Sequence, residues 1–242
     1  MRYGIFSDIH ANLEALEAVL SELDKVRVDE ILCLGDVVGY GPNPNECIAL
    51  VRERVSYCLA GNHDVAPLGG LDLQYFNYVA RKAIEWTSKT LSSESKAFLR
   101  ALPLSKAFDT FFIVHATPVE PEKWGYILSM ADAESNFRGF AQQSCFVGHS
   151  HSAWCVEMNG DGRFEGRDAY PILLQEGSRY LINVGSVGQP RDRNPAAAFA
   201  LLDVESKTYE LHRVSYNIPL TQKKILEAGL PELLAERLVL GQ

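Results

Sequence analysis

The feature that most constrains the fold is a repeated pattern in which a short apolar run ends in Asp, His or Asn. A run of this length is typical of a buried strand. Five runs carry the pattern, and the polar residues that follow them are Asp8 with His10, Asp36, Asn62 with His63, His115, and His149 with His151. Because open α/β sheets collect ligands at the carboxyl ends of their strands, we expect these five corners to meet in one crevice.

The segments between these runs have helical periodicity. Residues 13–23 place apolar side chains at helical spacing and predict an amphipathic helix, and residues 45–53 are predicted to form a helix after a Pro-rich loop. Strands that alternate with such helices indicate the α/β class with a largely parallel sheet. Residues of about 65–102 are predicted to form a helical excursion from this pattern.

The second half of the chain has shorter strand-like pieces. The turn residues 159–162 separate pieces 153–158 and 172–174, which predicts a hairpin and a second sheet. The tail, about 217–242, is predicted to be helical, and its leucines leave two alternatives open: docking on its own domain or on a second subunit. No Pro-, Gly- or Ser-rich linker divides residues 1–242, so we expect a single domain.

The charge balance excludes some partners. Lys and Arg number 23 against 31 Asp and Glu, which gives a net charge of -8 that repels anionic membranes and extended nucleic-acid duplexes. A protein with this negative charge can still bind a small phosphate ester if a metal ion supplies positive charge at the site. The five cysteines include no Cys-x-x-Cys pair, and neither a signal peptide nor a membrane span is visible, so we expect a cytoplasmic protein.

The histidines point to metal binding. Only His212, among six histidines, lies outside the strand-end pattern. Any one of the others could be an ordinary core or loop histidine, but together they favour metal ligands, since imidazole is a common ligand.

The motifs resemble those of the calcineurin-like metallophosphoesterase superfamily. In chain order they are Asp8-x-His10, Gly35-Asp36, Gly61-Asn62-His63-Asp64, His115 and Gly148-His149-x-His151. Residues 35–42 and 183–186 are also similar to the small bacterial and archaeal phosphodiesterase-like members. The resemblance implies a two-sheet β-sandwich flanked by helices, a four-layer αββα fold, with two metals at its top.

The resemblance also implies how the ligands divide. The first metal would be held by Asp8, His10, Asp36 and His151, and the second by Asp36, Asn62, His115 and His149. Asp36 would bridge, since a carboxylate can span two cations. We expect two divalent transition-metal ions: the donors admit manganese, our first choice, and iron, zinc, nickel or cobalt, and they exclude soft copper(I).

The activity expected from the resemblance is that of a dinuclear metal-dependent phosphoesterase. Its substrate would be a phosphodiester or a small nucleotide-type phosphoanhydride, attacked directly by a metal-bridging hydroxide without a covalent intermediate. A phosphomonoesterase is the nearest alternative. From another class, a catalytically inactive interaction scaffold remains open.

His63 is the motif histidine that the resemblance leaves for catalysis, where it would assist the departing oxygen. Protein serine/threonine phosphatases orient this histidine with an Asp, but the corresponding position here is Gly39. Asp64 is expected to bond loop amides.

Asn12 and Arg191 are candidate substrate-binding residues. Asn12 could contact a phosphate oxygen or cap the first helix. Arg191 could clamp a second phosphate or be a solvated surface charge. Three aromatic residues, Tyr40, Trp124 and Tyr126, could stack on a base or serve ordinary packing.

Overall fold

The computed structural model describes residues 1–242 and confirms the predicted α/β class, with two six-stranded mixed sheets. The first sheet has, in spatial order, β3 (Tyr57–Cys58), β2 (Glu30–Cys33), β1 (Arg2–Phe6), β11 (Ala197–Asp203), β12 (Thr208–Val214) and β9 (Ile172–Leu173). Strands β1, β2 and β3 are parallel neighbours, while β11, β12 and β9 pair antiparallel.

The second sheet has the order β4 (Ser105–Ala107), β5 (Phe111–Val114), β6 (Ser144–Val147), β10 (Arg179–Asn183), β7 (Trp154–Met158) and β8 (Phe164–Arg167). Strands β5, β6 and β10 are parallel. The predicted hairpin is present, but it joins β7 to β8, and β9 instead pairs with β12 in the first sheet. The sequence does not predict β8, because this edge strand is largely exposed and has no apolar run.

The two sheets pack face to face, and period-two alternation explains how both of their faces are buried. Tyr3 and Ile5 of β1 meet Tyr180 and Ile182 of β10 in the core between the sheets. The intervening Leu181 points to the outer face of the second sheet. The sequences of these strands are continuous apolar runs and do not alternate between apolar and polar residues, because each strand is buried on both faces of its sheet.

Helices cover the outer faces. They are α1 (Leu13–Val26), α2 (Pro44–Arg54), α3 (Asn62–Val65), α4 (Tyr78–Thr90), α5 (Ser93–Arg100), α6 (Met130–Asn136), α7 (Ile218–Glu227) and α8 (Glu232–Glu236). Apolar side chains of α1, α2 and α5 pack on the first sheet, and α6 packs on the second, which confirms the four-layer order. None of the helices combines the length and hydrophobicity needed to cross a membrane.

The C-terminal tail, residues 217–242, docks on its own chain. Leu234 and Leu238 join an apolar cluster with Tyr40 and with Ala80 and Ala83 of α4. The tail thereby connects the helical excursion with the loop that follows β2.

Candidate metal centre

Both sheets deliver candidate ligands to one crevice. On the first sheet, β1 is followed by Asp8 and His10, β2 by Asp36, and β3 by Asn62. On the second sheet, β5 is followed by His115, and β6 by His149 and His151. The oxygen ligands therefore all come from one sheet, while the other supplies only imidazoles.

The backbone is strained at these positions. Five candidate ligands have φ between 49° and 65°: Asp8, His10, Asp36, His149 and His151. This left-handed conformation costs a residue other than glycine roughly 1–3 kcal/mol, and such strain concentrates at functional sites. The strain turns the side chains toward a common point. Close approach also requires Gly148, where a Cβ would lie 2.5 Å from Asp8 Oδ2.

The first ligand group is fully buried, and its candidate ligand atoms all lie within 4.8 Å of one another: Asp8, His10, Asp36 and His151. Nδ1 of His10 donates to Val38 O at 3.1 Å, and Nδ1 of His151 donates to Gln189 O at 2.7 Å. Carbonyl oxygens only accept, so each Nε2 carries a lone pair. These two Nε2 atoms face each other at 3.0 Å, an arrangement that a shared cation stabilises.

The second ligand group contains Asp36, His115 and His149, again within 4.8 Å. Nδ1 of His115 donates to Leu34 O at 3.0 Å, which leaves Nε2 as its ligand atom. Nε2 of His149 donates to Trp124 O at 3.1 Å, which leaves Nδ1. Asp36 thus stands in both groups.

Four buried ligand atoms have no hydrogen-bond partner within the protein: Asp8 Oδ1, Asp36 Oδ2, Asn62 Oδ1 and His115 Nε2. A buried polar atom without a partner costs about 1–3 kcal/mol. A cation would satisfy all four, and carboxylate, amide and imidazole donors suit divalent transition metals. The residues therefore fit the metals that the motifs imply.

Three of the imidazoles are held neutral. Burial lowers the pKa of His10 and His151 well below the ordinary value for histidine. Burial also lowers the pKa of His149 to about 3. Neutral imidazole is the ligand form of histidine, so these three side chains are in the state that binds a metal.

The carboxylates depend on a nearby positive charge. Burial raises the pKa of Asp8 to about 7. Burial also acts to raise the pKa of Asp36, but the charge of His115 outweighs it and holds this pKa below its ordinary value. Conversely, burial acts to lower the pKa of His115, and the charge of Asp36 raises it to about 9. The buried carboxylates thus favour a positive charge beside them, which a bound cation would supply.

His63 is packed between aromatic rings beside the ligands. Its ring centroid lies 4.4 Å from that of Tyr40, 5.0 Å from that of His10 and 5.5 Å from that of Phe76. A Cβ at Gly39 would lie 2.6 Å from His63 Nδ1, so the position that carries Asp in protein phosphatases has no room here for a side chain. Aromatic packing, in place of a carboxylate, orients His63. Burial lowers its pKa to about 4.

Asp64 and Asn12 are engaged inside the protein. Asp64 accepts hydrogen bonds from Val38 N at 3.1 Å and Gly61 N at 2.9 Å, the loop-amide role expected for it. Asn12 Oδ1 accepts from Ala15 N at 3.2 Å, and its Nδ2 donates to Gly188 O at 2.8 Å. Asn12 is 2% exposed and makes the capping contact, and its contact with a phosphate stays a prediction.

Arg191 lies at the rim of the crevice. Its backbone N donates to His151 O at 3.0 Å, and its guanidinium carbon lies 5.7 Å from the centre of the Tyr40 ring. The sequence reasoning missed Arg237, whose Nη1 donates to Gln189 Oε1 at 3.2 Å, beside Arg191. No signal in the sequence could have found Arg237, because only the docking of the tail brings it there.

A pocket of about 390 Å³ opens beside the second ligand group. Its lining includes the candidate ligands Asn62 and His149 and the aromatic side chains of Phe76, Trp124 and Tyr126. Tyr126 stacks on the ring of His149 at 4.1 Å and is 52% exposed. Two of the three predicted aromatic residues thus line the pocket, whereas Tyr40 packs between His10 and His63.

Comparisons with known proteins agree with this geometry. The calcineurin-like phosphoesterase superfamily domain matches residues 1–207. The chain is 42% identical over 246 residues to the uncharacterized protein MJ0912 of Methanocaldococcus jannaschii, covering 99% of this chain and 98% of the relative.

Two crystal structures extend the likeness. A metallophosphoesterase from Sphaerobacter thermophilus is 42% identical, with a TM-score of 0.89 and full coverage of both chains. The hypothetical protein PH1004 from Pyrococcus horikoshii shares the fold, with a TM-score of 0.81 at 19% identity over 100% of this chain and 98% of the other. This chain therefore belongs to the calcineurin-like phosphoesterase superfamily of metal-dependent hydrolases, and it carries a buried Asp and His cluster that could bind metal.

Proposed function

We propose that this protein hydrolyses a phosphodiester or a small nucleotide-type phosphoanhydride with two divalent metal ions, manganese being the first choice. The observation that carries the proposal is the membership of Asp36 in both ligand groups. Two ions bound there would activate a water for attack on phosphorus and neutralise the oxygens of the ester.

The position of Asp36 suits a bridging ligand. Its Oδ1 accepts a hydrogen bond from His63 N at 2.7 Å, which fixes the carboxylate. Its Oδ2 has no hydrogen-bond partner and lies 3.5 Å from His10 Nε2 and 3.4 Å from His115 Nε2. One oxygen therefore faces a ligand atom of each group.

His63 is suited to assist the departing oxygen. Its Nδ1 is buried against Gly39, so Nε2 is the nitrogen left for a substrate. Since its pKa of about 4 keeps the ring neutral near pH 7, His63 would donate a hydrogen bond from Nε2.

The aromatic pocket supports an ester with a second, flat substituent. Trp124 and Tyr126 offer planar apolar surface next to Asn62 and His149. Aromatic faces stack on bases, and a phosphomonoester of a small alcohol would leave this surface unused.

The proposal is tested by measuring metal content together with turnover of bis(p-nitrophenyl) phosphate, p-nitrophenyl phosphate and a dinucleoside polyphosphate, each with several metals. We expect two ions per chain and faster turnover of the diester or the polyphosphate. Turnover of the monoester alone would identify a phosphomonoesterase. Metal binding without turnover of any ester would identify a scaffold.

A further inference from the structure

Two arginine side chains meet at the rim of the crevice. Nη2 of Arg191 donates to Gln189 Oε1 at 2.9 Å, and Nη1 of Arg237 donates to the same oxygen at 3.2 Å. Gln189 is 2% exposed and neutral, so it fixes both guanidinium groups without balancing their charge. We call Arg191 and Arg237 the arginine pair.

The arginine pair lacks a counter-ion. Neither guanidinium forms an ion pair, and the neighbouring carboxylate of Asp192 pairs with Arg213 instead. The Nε atoms of Arg191 and Arg237 are both buried and have no hydrogen-bond partner. Two partly buried like charges with unused donors repel each other, and an anion relieves that repulsion.

The arginine pair adjoins the metal ligands. The Tyr40 ring lies under Arg191 at 5.7 Å, and the same ring lies 4.6 Å from His10 and 4.4 Å from His63. One aromatic ring therefore separates the pair from the candidate reaction centre. A molecule bound at both places would carry two anionic groups.

Half of the arginine pair comes from the C-terminal tail, which lies beyond the residues 1–207 that match the family domain. Leu234 and Leu238 anchor the tail in the apolar cluster around Tyr40. Gly241 O accepts a hydrogen bond from Arg193 N at 2.9 Å, which ties the end of the tail to the loop that carries Arg191. The tail thus holds Arg237 opposite Arg191.

We propose that the arginine pair is an anion subsite that binds a second phosphate of the substrate. This inference rests on the proposed function and narrows it: the substrate is a phosphoanhydride, or an ester with an additional phosphate, and not a diester with a single phosphate. Guanidinium groups suit this task, because their fixed donors match phosphate oxygens in pairs.

The first test measures binding without turnover. The metal-free protein is titrated with inorganic pyrophosphate in a calorimeter, and we expect one saturable site whose affinity falls at least about tenfold in Arg191→Gln and in Arg237→Gln. Arg52→Gln is the matched control, since Arg52 lies on α2 and pairs with Glu94 of α5. Melting curves establish that each variant is folded. Equal affinity in all four proteins, or no saturable binding, would overturn the proposal.

The second test uses the metal-loaded enzyme and compares a dinucleoside polyphosphate with bis(p-nitrophenyl) phosphate. We expect Arg237→Gln to raise the KM of the polyphosphate about tenfold more than that of the diester. If pyrophosphate binding weakens but the two KM values change equally, the pair binds a free inorganic anion and the proposal fails. If no ester is hydrolysed, the proposed function fails, and the calorimetric result still decides the anion subsite.

Discussion

The ligand cluster, defined as the seven candidate metal ligands, and the rim of its crevice are built in different ways. Each ligand lies within a few residues of a strand end, and strained backbone turns five of them inward. At the rim, Tyr40, Arg191 and Arg237 come from a loop, a second loop and the C-terminal tail, and side-chain packing brings them together. Strand ends and the packing of the two sheets place the cluster, whereas the rim depends on loops and on the docking of the tail.

The largest effect is expected for Asp36→Asn, which tests whether the cluster acts as one unit. The amide keeps the volume but removes the negative charge that both ligand groups share. Loss of a residue that only supports a ligand costs about 10–100-fold in metal affinity, so loss of the bridging charge should exceed that range for both ions. Elemental analysis and turnover of a diester check this expectation. Two tightly held ions with normal turnover would contradict the bridging role.

The next largest effect separates the two ligand groups. His151 belongs to the first group and His149 to the second, so His151→Ala and His149→Ala should each weaken mainly one ion, by about 100-fold. Competition with a chelator measures the two affinities in each variant. Loss of both ions in both variants would show that the cluster cannot be divided in this way.

The sequence predicts the cluster well for a physical reason. A strand fixes the direction of the chain, so Asp8 after β1 and Asp36 after its parallel neighbour β2 emerge at the same edge of the first sheet, and His115 after β5 and His149 after β6 emerge at the same edge of the second. The same reasoning excludes His212 from the cluster, and in the structure its ring stacks on Phe199. The division of the ligands between two ions remains a prediction, since it depends on how two groups share Asp36.

The rim could not be predicted in the same way. Arg237 looks like a surface charge in a leucine-rich helix until the tail docks, and the tail docks through contacts with α4, Tyr40 and α1. Asn12 has a residue type that allows both a helix cap and a phosphate contact. Its amide caps α1 and joins it to the loop at Gly188, and the phosphate contact remains a prediction. Residue type indicates chemistry, but only the partners of a side chain decide its role.

His63 lies between the two regions, next to the ligand Asn62 but oriented by the rim residue Tyr40. We expect His63→Ala to keep its metals and to lose about 100-fold in turnover of alkyl or nucleotide esters. This loss is at the low end of the range for general acids, because a neutral ring assists the departing oxygen with a hydrogen bond only. A nitrophenolate departs with little help, so nitrophenyl esters should lose much less. The dependence of kcat on the pKa of the leaving group, compared with that of the native enzyme, measures this difference. Parallel slopes would exclude the role, and lost metal would make His63 a ligand.

The smallest effect is expected at the rim, for Tyr126→Ala. The Tyr126 ring is half exposed, and stacking on His149 already uses one of its faces, so it offers a base a single face. Stacking on a base contributes about 1–3 kcal/mol, and we expect a single half-exposed ring to contribute the lowest value in this range. Loss of the ring in Tyr126→Ala should therefore raise KM roughly fivefold.

Two substrates with the same leaving group isolate this contribution of Tyr126: thymidine 5′-(p-nitrophenyl phosphate), which has a base, and methyl p-nitrophenyl phosphate, which has none. Tyr126→Ala should raise the KM of the first and change that of the second little, while Tyr126→Phe should keep most of the affinity because the aromatic face remains. Tyr78→Ala, which removes an exposed tyrosine outside the pocket, controls for the loss of a ring. An equal change for both substrates would mean that Tyr126 acts by orienting His149. Tyr126 would then act as part of the ligand cluster and not as part of the rim.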